Sequence, residues 1–301
     1  MENITTSDIG TQQVLGVREK VAAYAELTKP RIAIMLVLTS AAGFYLGTKG
    51  AFDGVLFANS LIAILLLAFG VATLNQFWEY RTDRLMERTA SRPIPTGRIT
   101  PTEALIFGLV QCAVAEVYLF LAVNTLTAVL GLLVIAGYIL VYTPLKTRTS
   151  VSTALGAIPG ALPPLMGWTA AANEISIGAW ALFATQFLWQ FPHFLAIAWM
   201  YREEYAKAGI LMLPVLDPKG RLTARQIVSF AFMLLVASLA PFFLGLASII
   251  YLIGAAILGL WFFAESVRFS VRRTNELAKR LLLASVIYLP LLFILLVLTK
   301  N

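Results

Sequence analysis

Three oxygen-bearing side chains follow one another at four-residue steps at the end of an apolar run. Asn75, Glu79 and Asp83 come directly after the apolar stretch 61–74. In a helix with about 3.6 residues per turn, these positions fall on one stripe roughly 12 Å long. Such a stripe suits Mg²⁺, which is usually held by one or two carboxylates together with the phosphates of a substrate. The spacing therefore predicts a site for a metal ion and a phosphate-bearing substrate.

Basic side chains lie in the two loops next to this stripe. Arg88 and Arg92 follow it directly, and Lys146 and Arg148 belong to the segment YTPLKTRTS at 142–150. Guanidinium and ammonium groups bind phosphate oxygens. Each of these residues alone would be ordinary on a basic membrane face. Their position beside the acidic stripe predicts that they supply the counter-charge for an anion.

A second set of polar residues lies in and after another apolar run. The only histidine, His193, stands within the segment QFLWQFPHFLAIAW, between hydrophobic residues. An ionisable group inside a span is a functional candidate by default. Glu203 and Glu204 follow ten and eleven residues later, where paired charges at a membrane surface are also ordinary. Glu116 is an acid within a third apolar run, and the sequence assigns it no partner and no role.

The composition places these residues in an all-α polytopic membrane protein. The chain has 301 residues, of which 59% are hydrophobic and 13% charged, with a mean hydropathy of +0.81. The apolar runs are long and do not alternate, which disfavours a transmembrane barrel. The single cysteine, Cys112, excludes an internal disulfide and a four-cysteine metal site. Residues 1–22 contain no apolar core, so no cleavable signal peptide is expected.

About nine transmembrane helices are expected, with the N-terminus cytoplasmic and the C-terminus outside. With this orientation all but Lys49 and Lys300 of the 23 basic residues face the cytoplasm, together with the proposed site. Residues 1–26 are expected to form a tail, mobile up to about Gln13, and 27–301 a single domain. The alternation of long and short loops suggests two four-helix halves, 27–148 and 149–280, plus a last helix at 281–299. The predicted spans are 32–48, 56–78, 102–122, 125–143, 151–169, 177–200, 227–246, 248–267 and 281–299.

Five segments resemble the protohaem IX farnesyltransferase (haem O synthase) family, a branch of the UbiA superfamily of intramembrane prenyltransferases. The resemblance runs from about Leu27 to Val215 and is thin in the last three spans. The segments are LTKPRI (27–32), NQFWEYRTDRLMERTASRPIP (75–95), YTPLKTRTS (142–150), GAIPGALPPLMGW (156–168) and QFPHFLAIAWMYREEYAKAGILMLPV (190–215).

The resemblance implies a helical bundle around a central cavity that opens near the cytoplasmic face of the plasma membrane. It implies transfer of a farnesyl group from farnesyl diphosphate to a vinyl group of haem B, with addition of water. Asn75, Glu79 and Asp83 match the first metal-binding motif of the superfamily, with Mg²⁺ expected and Mn²⁺ as an alternative. Arg88, Arg92, Lys146 and Arg148 are then expected to bind diphosphate, and haem A synthase is a candidate partner.

The second acidic motif of the superfamily does not carry over cleanly. Relatives that act on small aromatic acceptors have aspartates near the end of the sixth span, whereas this chain has His193 there. Glu203 and Glu204 are the nearest carboxylates and are expected as ligands of a second metal ion. His193 is expected to contact haem, either as an axial ligand or as the base for the added water.

Two other functions fit parts of the sequence. An enzyme of the same fold acting on a quinone precursor or a chlorin would share the acidic stripe but not the Pro192-His193-Phe194 segment. A haem or organic-anion transporter would also place polar groups inside the bilayer, although transporters tend to interrupt helices near its midplane. Here the polar clusters lie near one face, which favours the enzyme. A purely structural assembly factor would not need the acidic stripe.

Overall fold

A computed structural model describes residues 16–301 and shows helices joined by short loops. The predicted mobile segment up to Gln13 lies outside the described residues. Residues 17–26 of the predicted tail belong to a helix. From residue 17 to residue 145 the helices are α1 (Val17–Leu27), α2 (Pro30–Gly47), α3 (Gly54–Asp83), α4 (Glu87–Ala90), α5 (Pro101–Ala122), α6 (Thr125–Ile135) and α7 (Thr143–Leu145). From residue 152 to residue 298 they are α8 (Ser152–Ala172), α9 (Ile177–Met200), α10 (Arg202–Lys207), α11 (Leu213–Leu216), α12 (Arg221–Phe243), α13 (Ile249–Arg272) and α14 (Asn275–Leu298).

Within residues 16–301, seven helical segments are long and apolar enough to cross a membrane, which confirms an all-α multi-pass membrane protein. They are α2, α3, α5, the continuous segment Thr125–Leu145, α12, α13 and α14. The other two predicted spans coincide with α8 and α9, which have 21 and 24 residues. Several helices extend beyond the predicted limits of their spans, because hydropathy identifies only the apolar part of a helix. The helix α12, for example, begins at Arg221 rather than at residue 227.

The helix α3 carries the predicted stripe to its last turn. Its first turn is capped by Asp53, whose side chain accepts hydrogen bonds from the backbone N–H groups of Val55 and Leu56. The helix then continues for 30 residues without a break, five residues beyond the predicted end of the span. Asn75, Glu79 and Asp83 therefore belong to one regular helix, as the spacing predicted.

The segment between α6 and α7 is a π-helix, Ala136–Tyr142, which the sequence analysis did not predict. Pro144 follows it and has no N–H to offer to the preceding turn. The backbone N–H of Thr143 bonds the carbonyl of Tyr138, five residues back, and the Thr143 hydroxyl donates to the same carbonyl at 2.8 Å. Single π-turns are frequent at functional sites. This one turns Tyr138, Tyr142 and Thr143 relative to a regular helix.

Glycines allow α2 and α8 to pack backbone against backbone. A Cβ added at Gly167 would lie 1.9 Å from the carbonyl oxygen of Ser40, and one at Gly43 would lie 2.0 Å from that of Pro164. Between these contacts the Ser40 hydroxyl donates to the carbonyl of Pro163 at 2.9 Å. Small residues and interhelical hydrogen bonds are the usual means by which membrane helices associate. The α2–α8 contact thus joins the two predicted halves of the chain, whose division remains a prediction.

Candidate active site

Each member of the acidic stripe contacts a basic side chain from a different segment. Asn75 Oδ1 accepts a hydrogen bond from Lys29 Nζ at 2.9 Å. Glu79 Oε1 lies 2.5 Å from Lys146 Nζ, and Asp83 Oδ2 lies 2.7 Å from Arg92 Nη1. The side chains of the stripe are well shielded, since Asn75 and Asp83 are 2% and 1% exposed. Three oxygen-bearing groups and three basic side chains therefore form one largely shielded polar cluster.

Lys29 is a site residue that the sequence did not single out. It precedes Pro30 and has φ +48°, in the left-handed region that residues other than glycine rarely adopt. This backbone conformation accompanies a lysine that reaches across to α3. Burial lowers the pKa of Lys29 to about 7, and repulsion from Arg92 acts in the same direction. Such strained residues cluster at functional sites.

Lys146 lies just after α7 and connects the stripe to the π-helix. Its ammonium lies 4.3 Å from the centre of the Tyr142 ring, which contacts the Tyr138 ring edge-on at 4.9 Å. Burial alone would lower the pKa of Lys146, but attraction to the Glu79 carboxylate outweighs it and raises that pKa well above its usual value. The Asn75 amide also donates to the Thr143 hydroxyl at 3.4 Å. The π-helix therefore forms one wall of the cluster.

The loop after α3 folds back to place Arg92 against Asp83. Thr89, on the short helix α4, is buried and donates its hydroxyl to the backbone carbonyl of Asp83 at 3.0 Å. Beyond the loop, Ile94 and Ile99 pack with Ala23 and Leu27 of α1 in a small hydrophobic cluster. The described part of the N-terminal segment thus holds the loop that carries Arg92.

The two long loops that the sequence singled out meet on this face. Arg88 donates its backbone N–H to Glu204 at 3.2 Å and a guanidinium N–H to the Tyr205 hydroxyl at 3.2 Å. The backbone N–H of Leu211 bonds the carbonyl of Lys146 at 2.8 Å, which ties the second loop to α7 as well. The structure therefore brings the predicted anion-binding segments together around the end of α3.

Two of the predicted site residues lie at the edge of this assembly. The Glu203 side chain is 86% exposed, and its nearest basic group, on Arg202, is 3.9 Å away. Arg148 is exposed, one turn beyond α7. Within residues 16–301 no group of three His, Cys, Asp or Glu side chains is arranged to hold a metal ion. A second metal site at Glu203 and Glu204 stays a prediction.

His193 lies on α9 and is held by α14. Its Nδ1 is 2.7 Å from the hydroxyl of Ser285, and its ring stacks on Trp189 with centroids 4.6 Å apart. One turn before the histidine, Gln190 donates to the carbonyl of Ala157 on α8 at 3.0 Å. The side-chain oxygen of Gln186 is buried without a hydrogen-bond partner among the described residues. The histidine is therefore fixed by contacts that the sequence did not indicate.

Glu116 lies apart from these contacts, on α5 against α6. Its Oε1 is buried, makes no hydrogen bond within the described residues, and approaches the backbone of α6 at Gly131. The structure gives it no basic partner among those residues.

The chain is similar to a family of membrane enzymes over most of its length. A model of the UbiA prenyltransferase family matches residues 36–296. Similar curated proteins are the protoheme IX farnesyltransferases of Solibacter usitatus, at 46% identity over 92% of this chain and 98% of the relative, and of Koribacter versatilis, at 42% identity over 95% and 96%. That of Salinibacter ruber is 43% identical over 89% of this chain and 94% of the relative.

Solved structures share the fold at low sequence identity. A digeranylgeranylglyceryl phosphate synthase has a TM-score of 0.76 at 18% identity, covering 93% of this chain and 98% of that chain. A UbiA homologue from Aeropyrum pernix K1 has a TM-score of 0.71 at 19% identity, with 88% and 96% covered. Another, from Archaeoglobus fulgidus and bound to GPP and Mg²⁺, has a TM-score of 0.64 at 18% identity, with 92% and 100% covered.

Proposed function

Because this chain belongs to the UbiA prenyltransferase family, we propose that it transfers the farnesyl group of farnesyl diphosphate to a vinyl group of haem B, with addition of water. The products are haem O and diphosphate. Relatives that are 37–46% identical over most of the chain and named protoheme IX farnesyltransferase support the choice of donor and acceptor. The structural observation that supports the proposal most strongly is that Asn75, Glu79 and Asp83 each contact a different basic side chain.

The stripe has the donor chemistry that a hard divalent cation requires. The oxygens of Asn75, Glu79 and Asp83 already face cationic groups in the structure, at 2.5–2.9 Å. Carboxylate and amide oxygens suit Mg²⁺, with Mn²⁺ as an alternative. When bound, the metal neutralises charge on the diphosphate and makes it a better leaving group. Asn75, Glu79 and Asp83 are therefore the proposed metal ligands.

The cations of the cluster act on the diphosphate. Cleavage of the bond between farnesyl C1 and oxygen leaves an allylic cation and places negative charge on the departing oxygens. Fixed positive groups lower this barrier because they are already oriented before the charge develops. Lys146 and Arg92 contact the stripe with side chains that are 15% and 20% exposed, and Lys29 joins them as a further diphosphate-binding residue. Arg88 and Arg148, farther out, are proposed to guide the anion towards the stripe.

The haem vinyl group then attacks the farnesyl cation and forms the new carbon–carbon bond. The positive charge moves to the vinyl carbon next to the porphyrin, where water adds and releases one proton. His193 is proposed to contact the haem at this step, as an axial ligand or as the acceptor of that proton. Tyr142 contacts Lys146 and Trp189 stacks on His193. Both rings are proposed to help stabilise the carbocation, since aromatic faces attract cations.

The proposed orientation places the chemistry at the cytoplasmic face of the plasma membrane. The nine-span arrangement is supported by seven apolar helices together with α8 and α9, which are equally long. The N-terminus is then cytoplasmic, because this orientation puts nearly all basic residues inside. Haem O is the substrate of the next step in haem A formation, and haem A synthase is the proposed partner.

A competition between acceptors tests the proposed function. Purified protein in detergent receives farnesyl diphosphate and Mg²⁺ with equimolar haem B, a chlorin and a quinone precursor acid. The expected result is a farnesylated haem as the main product in the mass spectrum. Prenylation of the aromatic acid or the chlorin without haem product would leave the family and the metal site in place but overturn haem as the acceptor.

A further inference from the structure

Ser285 is a fully buried residue on α14 that contacts the only histidine of the chain. Its Oγ lies 2.7 Å from His193 Nδ1 and 2.6 Å from the backbone carbonyl of Leu282, one turn earlier. The two contacts reach different elements, because the carbonyl belongs to α14 and the imidazole to α9. The serine therefore connects the functional histidine to the last helix of the bundle.

The number of protons at this serine decides the direction of each hydrogen bond. A serine hydroxyl has one proton to donate and two lone pairs that accept. The Leu282 carbonyl oxygen can only accept, so it takes the hydroxyl proton. Oγ is then the acceptor in its contact with His193, and Nδ1 must carry a proton. In a neutral imidazole, a protonated Nδ1 leaves Nε2 with a free lone pair.

Further contacts hold the ring in this orientation. Trp189 stacks on the imidazole with an interplanar angle of 23°. The Trp189 indole N–H donates to the backbone carbonyl of Ser285 at 2.8 Å. One residue of α14 thus orients both the ring and the aromatic surface against which it lies. Nε2 makes no hydrogen bond within residues 16–301 and is not sealed off by neighbouring atoms.

We infer that Ser285 is a positioning residue that holds His193 in the Nδ1–H tautomer and directs an unprotonated Nε2 towards the substrate. The role of this tautomer in the reaction rests on the proposed function. Binding to haem iron and acceptance of a proton from the added water both need a lone pair on Nε2. The other neutral tautomer would present an N–H there and do neither. Ser285 therefore acts on the reaction through His193, without contacting the substrate.

Nitrogen NMR on the substrate-free protein tests the tautomer directly. His193 is the only histidine, so ¹⁵N-histidine labelling of a protein purified through a tag without histidine gives signals from this ring alone. The expected spectrum has a protonated Nδ1 and an unprotonated Nε2. A protonated Nε2 with an unprotonated Nδ1 in the wild-type protein would overturn the inference.

Two serine variants separate positioning from packing. Ser285→Ala should shift the tautomer ratio roughly fivefold towards Nε2–H, as expected for loss of a hydrogen bond worth about 1 kcal/mol. Ser238→Ala is the matched control, because Ser238 is also fully buried in a spanning helix and donates to the carbonyl three residues back, at 2.8 Å from Leu235. It should leave the histidine signals unchanged. Ser285→Thr, which keeps the hydroxyl, should restore the wild-type ratio.

Haem binding gives the second readout and separates this inference from the proposed function. Ser285→Ala should weaken haem B binding, followed in the haem absorption band, by less than about fivefold, because the Nδ1–H form falls from the dominant to a smaller fraction, and Ser238→Ala should not weaken it. An unchanged tautomer ratio in Ser285→Ala would overturn the positioning role, whatever the enzyme's substrate. If NMR showed the expected tautomer but the protein farnesylated another acceptor, haem would be overturned as the acceptor. The role of Ser285 in positioning His193 would then still hold.

Discussion

Replacement of Asp83 by asparagine removes one charge from the acidic stripe with almost no change in shape. Asp83 is 1% exposed, and its partner Arg92 is 20% exposed at 2.7 Å. The variant keeps an oxygen that can face a cation, but it leaves Arg92 without its counter-charge. Asp83→Asn therefore tests whether the carboxylate is used in the reaction or only in packing.

The expected size of the effect follows from two separate costs. Loss of a hydrogen bond to a charged group should reduce the free energy of unfolding by about 1.5–3 kcal/mol. Loss of one preorganised electrostatic group from a reaction centre typically costs 10²–10³-fold in turnover, which corresponds to about 2.7–4 kcal/mol. We expect kcat to fall by at least about 10²-fold and the Mg²⁺ concentration at half-maximal rate to rise.

The assay measures initial rates of haem O formation while Mg²⁺ is varied, at saturating farnesyl diphosphate and haem B. Glu265→Gln provides the control. Glu265 lies on α13, away from the stripe, and is also buried, at 3% exposure. Its carboxylate contacts Arg268 at 2.5 Å and Arg280 at 2.7 Å. It should lose stability by a similar amount and keep turnover within about threefold.

Two results would contradict a metal-binding role for Asp83. Turnover of Asp83→Asn within about threefold of wild type at saturating Mg²⁺ would remove Asp83 from the metal site. Equal loss of turnover in Asp83→Asn and Glu265→Gln would assign the effect to a broken buried ion pair.

The other predictions concern neighbouring residues and the helix packing that supports them. His193→Ala should weaken haem B binding more than farnesyl diphosphate binding, and equal loss in parallel titrations would place the histidine at the metal instead. Lys146→Met should raise the KM for farnesyl diphosphate by about 10-fold or more, since it removes the cationic partner of Glu79. Arg148→Met, at an exposed position, should change this KM about threefold or less. A larger effect of Arg148→Met than of Lys146→Met would contradict the assignment. Glu204→Ala should reduce turnover more than Glu203→Ala, because only Glu204 accepts a hydrogen bond from the Arg88 loop, and equal rates would count against a role for that contact. Gly167→Ala should lower the midpoint of thermal unfolding, since its Cβ would lie 1.9 Å from the Ser40 carbonyl oxygen. The control Gly54→Ala should not lower it, because that Cβ would meet no atom within 4 Å. Similar midpoints for the two variants would show that α2 and α8 can separate at little cost.

The stripe on α3 could be predicted because its geometry is local. Side chains four residues apart lie on the same face of any helix, so Asn75, Glu79 and Asp83 needed only the assumption that the helix continues past the apolar run. Arg92 and Lys146 were also placed near the stripe, from their neighbouring loops. What the sequence did not show is which cation meets which oxygen, since those contacts depend on how separate helices pack.

The remaining features depend on packing or on unusual backbone. Lys29 reaches Asn75 across 46 residues and does so from a left-handed conformation that no hydropathy pattern encodes. The π-helix at Ala136–Tyr142 is predominantly apolar, like the helix before it, so hydropathy does not distinguish the two. Ser285 lies 92 residues from His193, in the region where the resemblance was thin. The His193–Ser285 contact depends on the packing of α9 against α14, which the sequence does not specify.

Mass spectrometry of the reaction product, with and without a chelator, tests the proposed reaction most directly. Purified protein receives haem B, farnesyl diphosphate and Mg²⁺. We expect a haem product heavier by a farnesyl group plus water, which is lost when the metal is chelated and regained when Mg²⁺ is added back. A haem product that forms equally well in the presence of chelator would contradict the metal site at Asn75, Glu79 and Asp83. Absence of any haem product from folded protein would contradict the proposed reaction.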